Sequence, residues 1–436
     1  MENTVQKDHV KQIFDAAVEA VQPANIIPHV LNIRDGRFQV GEDLLPFEHF
    51  ENIYVAGAGK ATAAMAYEVE KILGTHLTEG VIAVRDVVDV PLKYTRTIVG
   101  GHPLPDRNSV VAAEEIVKLL GKLKKHDLLI FLLSGGASSL MMDIPEGLFL
   151  PDVILVLDRL MKRGATIHEL NVVRKHLSEL KGGQLVKKCS GAMVVAFIMS
   201  DVIGNDPQLI GSGPTTGDES TFEDAMGILE KYDLRKDAPY SILSYLEKGI
   251  NKTIPANPSP GDPVFKHTRN NIIADNRKAL NAAKEKAGEL GYEAHIITDS
   301  LSGFAEEAAK EWVSKASSLR RKKICMIAGG ETTVKVKGTG KGGRSQQFAL
   351  TAAVALKNSS EITLLAAGTD GSDGPTDAAG AFADSNTYAR AKEQGLDAQA
   401  FLENNDAYHF FERTGDLLKT GPTNTNVMDV IVTVIG

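Results

Sequence analysis

The sequence predicts an α/β protein of two domains, and three observations carry that expectation. Short apolar strands alternate with amphipathic helices along most of the chain, the grammar of a parallel sheet covered by helices. At 436 residues the chain exceeds the usual reach of one hydrophobic core. Between Ile254 and Pro263 prolines gather with few apolar neighbours, a linker composition that divides the chain into domains of residues 1–255 and 256–436.

From Lys7 to Val21, apolar residues at Val10, Ile13, Phe14, Ala17, Val18 and Val21 fall at helical spacing and form one stripe. Asn52 to Ala56 reads as a buried strand running into Gly57-Ala58-Gly59-Lys60 and a helix from Ala61 to Leu73. Val81 to Val84 and Thr97 to Val99 follow as strands. A helix from Ser109 to Leu123, with Ser109 as its cap, leads to a central strand, Asp127 to Leu133, that ends in Ser134-Gly135-Gly136. Helices then dominate up to the apolar run Met193 to Met199, which ends on Ser200-Asp201. Past the prolines the series resumes with strand Asn271 to Ala274, helix Arg277 to Leu290, strand Glu293 to Ile297, helix Phe304 to Ser317 and strand Ile324 to Ala328. A short strand from Thr333 to Val336, a helix from Ser345 to Leu356, a strand from Ile362 to Ala366 and a last strand from Val430 to Val434 complete the reading.

Composition narrows the function. Hydrophobic residues are 43% and charged residues 24% of the chain, ordinary globular usage. A net charge of −8 argues against a nucleic-acid or anionic-membrane surface, which needs a basic excess. Cys189 and Cys325 are too few for a disulfide framework or a cysteine zinc site, and both read as inert small hydrophobes. The polar start lacks the apolar run of a signal peptide and no run is long enough to span a bilayer, so a cytoplasmic protein without a membrane partner is expected.

Glycine-rich loops supply the candidate sites. Gly329 to Thr333, Gly338 to Arg344 and Gly368 to Asp377 come in quick succession, with an arginine and several carboxylates among the glycines, a mixture suited to a polyanion held with a divalent metal. Gly57-Ala58-Gly59-Lys60 completes neither the P-loop nor the dinucleotide fingerprint, yet it sets Lys60 at a helix start, where free N–H groups favour an anion. Ser134, Gly135, Gly136 and Ser138 follow a strand and have the N–H groups and hydroxyls to wrap phosphate oxygens. Leu140 stands where a nucleophile elbow needs glycine, which argues against a serine hydrolase. Asp201 and Asp206 lie on a loop leaving a strand, as magnesium is usually held by one or two carboxylates plus phosphate. Arg174 and Lys181, seven apart, read as one helix face, solvated and neutralised by Glu169 and Glu179. His102 and His176 have no second histidine at metal spacing and read as structural. Arg344 stands out because a loop that can hinge delivers its planar fork of donors.

Together the runs Val55 to Ala61, Leu132 to Gly136, Asn171 to Ser178, Gly329 to Thr333, Ala367 to Gly371 and Thr420 to Val427 closely resemble the glycerate 2-kinases of the MOFRL family, in order and over almost the whole chain. Ala137-Ser138 and Ser345-Gln346-Gln347 depart from the usual family pattern. The resemblance implies an N-terminal Rossmann-like α/β/α domain with a parallel sheet, a smaller C-terminal α/β domain with a mixed sheet, and an active site in the cleft between them. It implies ATP- and magnesium-dependent phosphorylation of D-glycerate to 2-phosphoglycerate, with Lys60 and Arg344 nearest the substrate and the transferring phosphate. Arg174 joins them as a substrate ligand, Asp201 as base or metal ligand, and Asp206 and Asp370 as further metal ligands. The oligomeric state stays open between monomer and homodimer.

Two other classes compete. A hydroxypyruvate reductase using NAD(P)H would need a dinucleotide site, and the near miss at Gly57 to Thr62 with Glu79 about twenty residues on is its sequence support. A non-catalytic sugar-acid or nucleotide binding protein would lack turnover with either cofactor.

Overall fold

The computed structural model describes the whole chain except Met1, Asp35, Val88, Asp89, Arg320 and residues 358–360. It divides into two compact units, one of Ile26–Ile273 and the other of Met1–Asn25 with Ala274–Gly436.

The first unit opens with a small antiparallel sheet, β1 (Leu31–Arg34), β2 (Arg37–Val40) and β3 (Asp43–Pro46), which the sequence reading missed. Its main sheet contains β4 (Ile53–Ala58), β5 (Leu77–Val84), β6 (Thr95–Val99), β7 (Leu128–Leu133), β8 (Met193–Met199) and β9 (Thr268–Ala274), in the order β6-β5-β4-β7-β8-β9. The pairs from β6 through β8 are all parallel. β4 and β7 are buried along their whole length, as a strand covered by helices on both faces requires. The helix Arg107–Leu120 starts at Asp106, not at Ser109. The Asp106 carboxylate accepts the Ser109 N–H at 2.9 Å, and the Ser109 hydroxyl accepts the Asp106 N–H at 3.2 Å, a reciprocal capping box. A separate helical cluster packs around Val156, Leu160, Val173, Leu229 and Leu246.

The second unit holds a mixed sheet of β10 (Glu293–Leu301), β11 (Ile324–Gly330), β12 (Ile362–Gly368), β13 (Gly380–Asp384), β14 (Leu417–Leu418) and β15 (Asp429–Ile435), in the order β10-β11-β15-β12-β13-β14. The C-terminal strand β15 lies at the centre, antiparallel to both β11 and β12. Residues 333–336 do not form the expected strand; Thr333 makes a lone bridge to Phe304.

The expected division after residue 255 differs from this at both ends. The proline-rich segment is folded back on the first unit: Asp218 N–H donates to Pro258 O at 2.9 Å, and Asn257 bonds Asp218 and Gln184 at 2.8 and 2.9 Å. β9 then adds to the first sheet instead of opening the second. The first helix, Glu2–Ala20, belongs to the second unit, where Gln6 accepts the Thr363 hydroxyl at 2.8 Å and Lys7 pairs with Asp416.

Candidate functional site

In the main sheet of the first unit the strand order reverses between β4 and β7. Ligands of such sheets bind beyond the carboxyl ends of the strands at that point. The loops leaving β4 and β7 are joined there. Lys60 N–H donates to Gly135 O at 3.0 Å, and the Ser134 hydroxyl accepts the Ala61 N–H at 3.0 Å. Gly59 has φ +141, and a Cβ there would run into Ser134, so glycine is required for this close approach. Ser134 is fully buried and ties the two loops together. Gly57 lies inside β4, packed on Leu132, and is likewise a packing glycine. Lys60 is half-buried just before the helix Thr62–Leu73. Gly136, with φ +88, faces the His102 ring and starts the turn Ala137–Leu140.

Beyond β8, Asp201 is half-buried, and Asp206 Oδ1 accepts the Gln208 N–H at 2.9 Å. The same loop continues to Ser212, whose hydroxyl donates to Asn171 Oδ1 at 2.6 Å and lies 3.0 Å from the Ser138 hydroxyl. The helix Ile167–His176 ends before Lys181, so the expected shared face of Arg174 and Lys181 does not exist. Lys181 is fully buried, bonded to Met141 O at 3.1 Å and Asp143 at 3.4 Å, and Glu169 and Glu179 pair with Lys231 and Lys188. Arg174 is half-buried, and desolvation lowers its pKa.

In the second unit the antiparallel insertion of β15 brings three of the sequence motifs to one edge. Asp429, the first residue of β15, pairs in register with Gly330 at the end of β11 and with Gly368 at the end of β12. Its carboxylate grips Arg344 side-on, Nε to Oδ2 at 2.6 Å and Nη2 to Oδ1 at 3.0 Å, while Arg344 Nη1 bonds Glu331. Burial alone would lower the Arg344 pKa, but the charges of Asp429 and Glu331 outweigh it and raise it, so the guanidinium stays cationic. Arg344 opens the helix Arg344–Ala355, and the loop before it is tied down: Asn405 Oδ1 accepts the N–H of Lys337 and Gly338, and Asp406 accepts that of Lys341 at 2.9 Å. The expected hinge is therefore a pinned loop.

Asp373 sits under the same helix start. Its carboxylate accepts the Ser345 N–H at 3.0 Å and the Gln346 N–H at 2.7 Å, the role of a capping anion. Burial first, and then the charge of Asp429, push its carboxyl up to about 7 against those two N–H groups. Thr369 fixes the backbone that aims Asp429. Its hydroxyl donates to Met428 O at 2.6 Å and accepts the Val427 N–H at 2.9 Å, while Asn276 Nδ2 donates to the carbonyls of Val427 and Asp429 at 2.8 and 3.0 Å. Between these anchors Met428 is held at φ +70, a conformation costly for a residue with a side chain.

Among the expected residues, Lys60, Gly135 and Ser138 share the first unit's switch point, whereas Arg344 stands with Asp429 in the second. Asp370 Oδ1 accepts the Ser372 N–H at 3.0 Å within its own turn. No group of three or more His, Cys, Asp or Glu side chains gathers as a metal cage among the described residues. Asp201, Asp206 and Asp370 still offer the hard carboxylate oxygens that magnesium takes one or two at a time beside phosphate. Asp429, Asp373, Thr369 and Asn171 carried no role in the sequence reading. Asp429 lies two residues past a quoted motif, and only its pairing with Gly330 and Gly368 reveals it. No described helix is long and apolar enough to cross a membrane. Burial pushes both cysteine thiols up to about 12, which fits their inert reading.

Comparison with known proteins adds a lineage to this geometry. Residues 9–247 match a domain family of unknown function, DUF4147, and residues 324–429 match the MOFRL family. The glycerate 2-kinase of Pyrococcus horikoshii is 36% identical over 97% of this chain and 96% of its own. The D-glycerate 2-kinase of Thermotoga maritima is 38% identical over 90% of this chain and 93% of its own. The solved glycerate kinase of Thermotoga maritima covers 100% of both chains with a TM-score of 0.85 at 35% identity. A relative from Agrobacterium vitis, 37% identical over 98% of this chain and 94% of its own, carries the provisional name hydroxypyruvate reductase. The chain belongs to the MOFRL family of glycerate 2-kinases.

Proposed function

We propose that this protein transfers the γ-phosphoryl group of ATP to the 2-hydroxyl of D-glycerate, with magnesium as the accompanying metal. The observation that carries the reading is the Arg344–Asp429 pair at the meeting of β11, β12 and β15, a cation locked in aim, in a chain whose relatives are named glycerate kinases. Phosphoryl transfer asks the protein chiefly for placed charge, and a preorganised guanidinium contributes that without reorganising during the reaction. Lys60, at a helix start beside the β7 loop, is the second cation assigned to the substrate or the phosphate. Magnesium, when bound, neutralises phosphate charge. Asp201, Asp206 and Asp370 are each proposed as carboxylates that take it, and Asp201 is also the candidate base for the substrate hydroxyl. Arg174 is assigned to the acid end of the substrate. The protein is proposed to work in the cytoplasm on small molecules.

The reductase reading loses its sequence support on the fold. A dinucleotide ribose is met at the carboxyl end of the second strand, but Glu79 lies near the start of β5 and pairs with Lys122 at 2.6 Å. Coupled assays separate the readings: ADP release that requires D-glycerate supports the kinase, whereas NADH or NADPH oxidation with hydroxypyruvate and no ADP release rejects it.

A further inference from the structure

The helix Ile167–His176 places Asn171 and Arg174 three residues apart and so on one face. Asn171 is only 2% exposed. Its Oδ1 takes the Ser212 hydroxyl at 2.6 Å, but its buried Nδ2 has no hydrogen-bond partner. Buried amide groups are nearly always satisfied, so an orphaned one marks a place where something else completes the set. Arg174, one turn on, has no described carboxylate paired with it, and desolvation is what lowers its pKa. The neighbouring buried cations are treated differently: Lys175 meets Asp218 at 3.2 Å and Lys181 meets Asp143 at 3.4 Å. The fold neutralises its structural cations and leaves this one uncompensated, which is costly without an anion. Ser212 links Asn171 to Ser138, which lies on the turn just after the Gly135 carbonyl that holds Lys60 N–H, so the orphaned donors adjoin the switch point.

We infer that Asn171 and Arg174 form a carboxylate subsite, with the guanidinium fork taking the acid group of a small 2-hydroxy acid and Asn171 Nδ2 donating to one of its oxygens. One planar fork and one amide match a monoanionic carboxylate better than a polyphosphate, which calls for more cations. The inference rests on the kinase reading and deepens it. This subsite sets the acid end of the substrate, and through it which hydroxyl faces the phosphoryl donor.

Steady-state kinetics of Arg174→Gln and Asn171→Ala test it, with D-glycerate and the carboxylate-free D-glyceraldehyde as acceptors. The expected result is a KM for D-glycerate raised by about tenfold or more, an ATP KM changed by less than about twofold, and loss of the preference for D-glycerate over D-glyceraldehyde. Thermal unfolding of the ligand-free protein gives a second reading. Arg174→Gln removes a half-buried charge with no described carboxylate partner and should melt no lower than wild type, yet lose the rise in Tm that D-glycerate alone gives the wild type. If wild type phosphorylates D-glycerate and both variants keep its KM and its Tm shift, the subsite is wrong while the kinase stands. If both variants instead raise the ATP KM, the pocket belongs to the nucleotide and the inference is overturned. If wild type leaves D-glycerate unphosphorylated, both readings fall.

Discussion

Asp429 holds Arg344 by two parallel hydrogen bonds, 2.6 and 3.0 Å, from the first residue of the central strand to the first residue of a helix. Only an arginine presents two donors side-on in this way. Arg344→Lys keeps the charge and loses the fork, so turnover should fall by roughly tenfold to a thousandfold with ATP affinity less affected. Steady-state kcat and KM decide the matter, and an unchanged kcat would show that the arginine only supports its loop.

Thr369 gives a stability prediction of the same arrangement. Thr369→Val keeps the shape but leaves the buried Val427 N–H without its acceptor, which should cost about 1–3 kcal/mol. Thr369→Ser should recover most of it. Urea unfolding of the two variants measures this, and equal midpoints for valine and serine would remove the hydroxyl from the account.

Asp373 gives a pH dependence. Its carboxyl titrates higher in the folded protein, about 7, than in the unfolded chain. Such a group contributes stability that is complete below the unfolded value near ~4 and is lost as pH rises through the folded value. Wild-type stability should therefore carry a declining component between about pH 4 and about pH 7 that is missing from Asp373→Asn. Denaturant midpoints across that window test it, and parallel pH profiles for the two proteins would contradict it.

Lys60→Ala should weaken substrate or nucleotide binding as well as rate, lowering kcat/KM by at least roughly tenfold, because the ammonium stands at a preformed helix start. A variant with a lower kcat but unchanged KM values for both substrates would assign Lys60 to the transition state alone.

The first unit's glycine loops were legible because β4 and β7 are apolar runs that lead into glycines, while the reversal of strand order there comes from β4 pairing with β5 on one edge and β7 on the other. The second unit's site was not. A buried run such as Val430 to Val434 reads the same whether its strand is parallel or antiparallel, and only insertion between β11 and β12 brings Asp429 to Arg344. Arg174 and Lys181 were misread because Glu169 and Glu179 looked like their neutralisers, while the fold commits those carboxylates elsewhere. The prolines after Ile254 imitated a linker because proline content reports backbone stiffness, not whether a segment packs back through residues such as Asn257.

The most direct test of the central claim is the product. Purified protein with ATP, magnesium and D-glycerate, followed by phosphorus NMR, should accumulate 2-phosphoglycerate together with ADP. Formation of 3-phosphoglycerate alone, or no phosphorylated product while NADH or NADPH is consumed with hydroxypyruvate, would contradict it.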